Sequence, residues 1–289
     1  MIDAGRPPEI EKPDHTAVRA ALWRALHVEL DAAPHILDDR VGLQLIAPQD
    51  DWRSRSDMHP QGTRGYRAAI VARGRLIEDR LAEEAARGVD QYVILGAGLD
   101  TFAQRRPETL AQLRIFEVDR PAAQQWKRRQ LLGLGFGVPP GLELVGVDFE
   151  ARADTWRALA AAGFDASRPA VVAAAGLSMY LTQQAIACLL RDIARLARGS
   201  TLLMSFLLPL ELLEPEERPR HEAVYASARA AGTPFISFFR PEQLLALAAQ
   251  AGLQQLRHVS GADLTQRYFR GRADGLRPAI GEDLLVAVV

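Results

Sequence analysis

The stretch "QYVILGAGLDTFAQ", residues 91–104, carries the strongest structural signal in the chain. Apolar β-formers run from Tyr92 to Leu95 and stop at Gly96. A small-residue turn, Gly96, Ala97 and Gly98, then delivers an acid at Asp100. In a doubly wound α/β sheet ligands sit beyond the carboxyl ends of the strands, and glycines in the first turn let a ligand approach the backbone closely.

Downstream of this stretch, strand and helix patterns alternate. "RIFEV" (114–118), "LELVGV" (142–147), "AVVAAA" (170–175) and "STLLMSF" (200–206) are rich in β-formers. "PAAQQWKRRQLLG" (121–133), "DTWRALAAAG" (154–163) and "TQQAIACLLRDIARLARG" (182–199) separate them with helical spacing. This alternation predicts a parallel sheet with helices on both faces. Upstream, "TAVRAALWRALHVEL" reads as an amphipathic helix capped by Thr16, and "RAAIVARGRLIEDRLAEEAARG" as a second helix ending at Gly88. The polar, Pro- and Gly-containing segment 40–62 between them reads as a mobile connection. From about Leu207 to Phe239 the rhythm breaks, with four prolines and the aromatic cluster "PFISFFR", so an insertion over the carboxyl edge of the sheet is expected there. The expected organisation is an N-terminal helical lid, 1–61, followed by one α/β domain, 62–289, that carries the cap at about 207–239. The tail closes with a helix, a strand, a short helical piece and the apolar strand "DLLVAVV".

Composition narrows the function. The 289 residues are 48% hydrophobic, enough for a sizeable core. Lys plus Arg is 35 against 36 for Asp plus Glu, without long like-charge blocks, so neither a nucleic acid nor an anionic membrane is an expected partner. The single cysteine, Cys188, cannot form an internal disulfide, and the first fifteen residues lack the profile of a secretion signal. A cytoplasmic location is the expectation.

The strand after the turn, "RIFEVDRP", ends with Glu117 and Asp119, and Asp119 lies 23 residues beyond Gly96. An acid at about 20 residues is placed to grip ribose hydroxyls, so turn and acid together predict a nucleoside site. A dinucleotide fold needs a small third residue where the pyrophosphate meets the helix, yet here Asp100 precedes Thr101. A carboxylate there repels a diphosphate and suits a ligand with a cationic end. S-adenosyl-L-methionine has one, with its sulfonium and amino groups, so a methyltransferase is favoured over an NAD-dependent oxidoreductase.

"VILGAGLDT", "IFEVDRPAAQQWKR", "VGVDFE" and "VVAAAGLSMYLT", in this order and spacing and preceded by "ARGRLIEDRL", resemble the leucine carboxyl methyltransferase family. The likeness is clear from about Gly62 to Ser205. It implies a Rossmann-like class I methyltransferase: a seven-stranded, mostly parallel sheet with an antiparallel last strand. It further implies O-methylation, with a carboxylate of a small-molecule or natural-product acceptor as the expected target.

Site roles follow as implications of that resemblance. Arg73 would pair with the methionine carboxylate of the cofactor. Gly96, Ala97 and Gly98 would pass beneath its methionine half, and Asp100 would orient the amino end. Asp119 would accept both ribose hydroxyls, with Glu117 assisting or facing the loop. Asp148 and Phe149 would meet the adenine. Ala175 and Gly176 end the fourth strand in the cofactor region, and many relatives carry Glu at the position of Ala175. Tyr180 is the candidate catalytic residue.

Methyl transfer asks the protein mainly to align the nucleophile and exclude water. A carboxylate acceptor needs no base. A hydroxyl acceptor would need one, and His59, His221, His258 and Tyr180 are the candidates. Phe235, Phe238, Phe239, Tyr268 and Phe269 either line an acceptor pocket or anchor the cap. No metal-ligand spacing and no G-x-S-x-G elbow is present. A hydroxyl acceptor, and a non-catalytic nucleoside-binding protein of the same fold, remain as alternatives.

Overall fold

The computed structural model describes residues 13–149 and 154–289. The opening segment 1–12, and Glu150 at the end of "VGVDFE", lie outside the described residues. Seven strands form one sheet: β1 (Gln91–Leu95), β2 (Arg114–Asp119), β3 (Leu142–Gly146), β4 (Val171–Ala174), β5 (Thr201–Leu207), β6 (Gln254–Val259) and β7 (Glu282–Val288). Their spatial order is β3-β2-β1-β4-β5-β7-β6. The strands are parallel except β7, which inserts antiparallel to β5 and β6. The described helices are α1 (His15–Leu30), α2 (Val41–Ile46), α3 (Arg64–Ala85), α4 (Phe102–Arg105), α5 (Pro121–Gly133), α6 (Thr155–Ala161), α7 (Gln183–Ile193), α8 (Arg218–Ala230), α9 (Pro241–Ala251) and α10 (Gly261–Leu264).

The central strands are continuously apolar because both sheet faces are covered. Side chains alternate between two cores. Tyr92, Ile94, Ile115 and Ala173 meet Val71, Leu76 and Leu81 of α3 on one face. Val93, Leu95, Phe116 and Val172 meet Leu159 of α6, Ile186 and Leu190 of α7 and Ala248 of α9 on the other.

Three local expectations are corrected. Helix α1 is capped by Asp14, whose carboxylate accepts from the Thr16 N–H at 2.8 Å, two residues earlier than expected. The connection at 40–62 is packed rather than loose: it contains α2 and two short 3-10 turns, and it buries Trp52 and Met58 against Leu22 and Leu26 of α1. The segment expected as an insertion, 207–239, is helical in part and holds α8, whose Pro219 sits in the first helical turn, where a missing N–H costs nothing.

Candidate active site

The sheet order reverses between β1 and β4, and a cavity of about 740 Å³ opens beyond the strand ends at that switch point. Arg73, Gly96, Ala97, Gly98, Asp100, Asp119, Asp148, Phe149, Ala175, Gly176 and Tyr180 all line it. Glu117 does not.

The turn after β1 folds over the end of β2: the Gly96 and Ala97 N–H groups both donate to the Val118 carbonyl, at 2.9 and 3.0 Å. Gly96 and Gly98 hold φ of +67° and +51°, a region that side chains other than glycine's rarely enter. A Cβ on Gly98 would come within 3.1 Å of the Ala17 Cβ, so α1 lies directly across the turn. Arg24 of α1 fastens it there, bonding the Leu99 carbonyl at 2.5 Å and Asp39 at 2.6 Å.

Asp119 accepts from the Gly98 N–H at 2.6 Å through Oδ2 and from the Arg120 N–H at 2.7 Å through Oδ1. Each oxygen keeps a further lone pair for a ligand hydroxyl. Asp100 stands just ahead of α4, its Oδ1 accepting from the Phe102 N–H at 2.8 Å, while its backbone carbonyl takes the Lys127 ammonium at 2.6 Å.

Glu117 lies on the same strand face as Asp119, but α5 covers the sheet at that depth. It is fully buried and ion-paired with Lys127. Burial pushes its carboxyl up to about 7 against the opposing pull of Lys127. The expectation that it assists a ligand is therefore replaced: Glu117 anchors Lys127, and Lys127 holds the Asp100 carbonyl.

Arg73, from α3, packs beside Gly176, where a Cβ would sit 3.0 Å from its Nη2. Its Nη1 is ion-paired with Glu282 at the start of β7. Glu282 also lines the cavity and was not anticipated from sequence. Tyr180 stands opposite with its ring 5.4 Å from that of Phe235, and burial raises its hydroxyl above the ordinary 10 although Thr16 bonds it.

The family model for leucine carboxyl methyltransferase matches residues 17–194, more than half of the chain. The chain belongs to that family. YktD of Bacillus subtilis, provisionally named an S-adenosyl-L-methionine-dependent methyltransferase, is 32% identical over 285 residues, covering 90% of this chain and 93% of its own. A similarly named protein of Mycolicibacterium smegmatis is 32% identical over 221 residues, with 75% of this chain and 68% of its own covered. Among solved structures, a provisionally assigned methyltransferase from Thermobifida fusca superposes with TM-score 0.59 at 19% identity, covering 99% of both chains. A DUF574 family protein from Streptomyces avermitilis gives 0.57 at 20% identity, covering 96% of this chain and 97% of its own. Both show the fold.

In this member of the leucine carboxyl methyltransferase family, the far end of the cavity is aromatic. Trp23 of α1 stacks on Tyr66 of α3 at 5.6 Å, and Tyr66, His221 and Tyr225 follow one another edge-on at 6.0 Å. Of the aromatics expected there, Phe235 lines the cavity, while Phe239 and Phe269 belong to the core. Phe238 packs on Tyr225 at 5.3 Å, and the Tyr268 hydroxyl donates to Asp79 at 2.7 Å. His59 is occupied by the Gly62 N–H and His258 by Asp283, so of the candidate bases His221 and Tyr180 face the cavity. Tyr66 lies one residue ahead of the second helix expected from sequence, and Tyr225 falls within the expected insertion, where no helical spacing marks its face.

Among the described residues, no group of three or more His, Cys, Asp or Glu could hold a metal, and no helix is long and apolar enough to cross a membrane.

Proposed function

We propose that this protein transfers a methyl group from S-adenosyl-L-methionine to an oxygen of a small-molecule acceptor. The observation carrying it is that the glycine turn with its two acids and an aromatic end lined by hydroxyls share one cavity beneath α1, of a volume suited to small molecules. When bound, the cofactor supplies a methyl carbon already activated by its sulfonium.

The residues fit that group. Asp119 offers carboxylate lone pairs for the ribose hydroxyls, and the bare turn at Gly96 and Gly98 admits close approach of the methionine half. Asp100 and Glu282 put negative charge where an ammonium needs it, and Arg73 provides a cation for the carboxylate. Asp148 and Phe149 flank the adenine position, with Ala175 and Gly176 forming the floor. Tyr180 orients the reacting groups, and α1 keeps water out of the space above the turn.

A carboxylate acceptor rests on the family resemblance. A hydroxyl acceptor is favoured by a specific observation, the buried ring of His221 at the aromatic end. Calorimetric titration with S-adenosyl-L-methionine and with NAD tests the cofactor. Binding of the former alone is expected, and binding of NAD alone would overturn the proposal.

A further inference from the structure

Building on the methyltransferase function proposed above, we infer that Tyr66, His221 and Tyr225 form the acceptor-oxygen site, that His221 Nε2 receives the proton, and that the acceptor is an uncharged, planar hydroxyl compound of the phenol class.

The ring of His221 is only 5% exposed, yet its Nε2 has no hydrogen-bond partner. Gly281, just before β7, closes over the ring: a Cβ there would come 2.6 Å from Cε1 and 3.3 Å from each nitrogen, with the Ile280 backbone beside it. With the proton on Nδ1, the tautomer this assignment requires, Nε2 carries a bare lone pair. The Tyr225 hydroxyl is likewise buried without a partner, and the Tyr66 hydroxyl has only the Arg220 guanidinium beside it. Buried polar groups left without partners are uncommon and call for an explanation, such as a role in catalysis. Here three of them belong to residues that line one cavity, with their rings spaced at 6.0 Å.

Their chemistry selects the acceptor. At neutral pH both tyrosines are protonated, burial pushing Tyr225 up to about 12 and raising Tyr66 above its ordinary 10. Burial also holds His221 below its ordinary 6.5, so the ring is neutral. The charged groups near this ring are Glu217, just before its helix, and Arg220 on it, and Glu282 acts on Tyr225. Two O–H donors and one bare acceptor match a neutral hydroxyl group, which both donates and accepts. A carboxylate has no proton for Nε2 to receive and would leave that lone pair facing like charge. Trp23, Tyr66 and Phe235 make the wall at this end of the cavity aromatic, which suits an apolar ring.

In the reaction the acceptor oxygen forms a bond to the methyl carbon, and the methyl–sulfur bond breaks with its electron pair left on sulfur. The hydroxyl proton passes to Nε2 and is later released to solvent, so charge and atoms balance.

The test uses the full chain with S-adenosyl-L-methionine and a panel of monophenols, each matched with the corresponding benzoic acid. Cofactor affinity is measured separately by calorimetry, so a failed cofactor site is distinguished from a failed acceptor assignment. The expected results are methylation of phenols over benzoates and a loss of 100-fold or more in kcat in His221→Asn with cofactor affinity unchanged. The acid limb of the wild-type pH profile should also vanish in that variant. Tyr225→Phe, which removes a single oxygen, is expected to raise KM without moving the profile. In protein labelled with ¹⁵N-histidine, the His221 Nε2 resonance is expected to be that of an unprotonated nitrogen near neutral pH and to shift when a phenol binds. A preference for benzoates, a His221→Asn enzyme within threefold of wild type, or an Nε2 resonance unmoved by every phenol would overturn the assignment.

Discussion

The guanidinium of Arg73 on α3 is ion-paired with the carboxylate of Glu282 at the head of β7, a partner 209 residues away in sequence. Both groups line the cavity beside Gly176. Glu282→Gln is therefore expected to weaken S-adenosyl-L-methionine and its demethylated product alike by about 1–3 kcal/mol, as is Arg73→Ala. The double variant should cost less than the sum of the two. Calorimetry on the four proteins measures the coupling, and strictly additive losses would mean that the two residues act independently.

Asp119 holds the glycine turn and is the proposed acceptor of the ribose hydroxyls. Asp119→Ala removes the acceptor of the Gly98 N–H together with the proposed one for the ribose. A loss of about 1–3 kcal/mol in cofactor binding is expected. Unchanged affinity would show that the carboxylate only shapes the turn.

Glu117 and Lys127 form a buried pair beneath the Asp100 carbonyl. Burial raises the Glu117 carboxyl from its usual 4.5 to about 7. A raised value means that the folded state holds the proton more tightly than the unfolded chain does. The contribution to stability is thus full below pH 4.5 and lost as pH rises through about 7. Glu117→Gln, which cannot titrate, is expected to flatten that decline in denaturant unfolding measured from pH 4.5 to 7.5. An identical slope in the two proteins would refute it.

Helix α1 is tied down at its other end by Asp31. Its carboxylate takes the Arg67 guanidinium at 2.8 Å and the His27 Nδ1–H at 2.9 Å, while His27 Nε2 accepts from the Ile36 N–H. Burial alone would raise the Asp31 carboxyl, but the bonds from His27 and Arg67 outweigh it and hold it below 3.8. Its stabilisation is present above pH 3.8 and lost as pH falls through the lower folded value. Asp31→Asn should cost about 3–5 kcal/mol at neutral pH by stranding the buried Arg67, and it should loosen α1 enough to weaken cofactor binding. Thermal unfolding and calorimetry report the two effects separately.

Much of the architecture was legible because its signals are local. The apolar runs at 92–95 and 171–174, covered on both faces, reveal a parallel sheet without any partner being known. The glycine turn and Asp119 announce themselves by spacing. Pro219 concealed α8 because proline reads as a breaker unless its place in the first turn is recognised. Glu117 misled because period-two alternation gives the face of a strand, not the depth at which a helix covers it.

The sequence by itself determined the order of strands and helices, the glycine turn, and the acids at positions 100 and 119, since each depends on neighbours within a few residues. The tertiary structure decided the rest. Because β7 runs antiparallel, its first residues, not its last, stand at the carboxyl edge of the sheet, opposite Leu207 of β5. That reversal brings Glu282 to Arg73 and Gly281 to His221, and no spacing along the chain records such a meeting. The aromatic end likewise joins α1, α3 and α8, held together by packing across the sheet edge, so its chemistry exists only in the folded molecule.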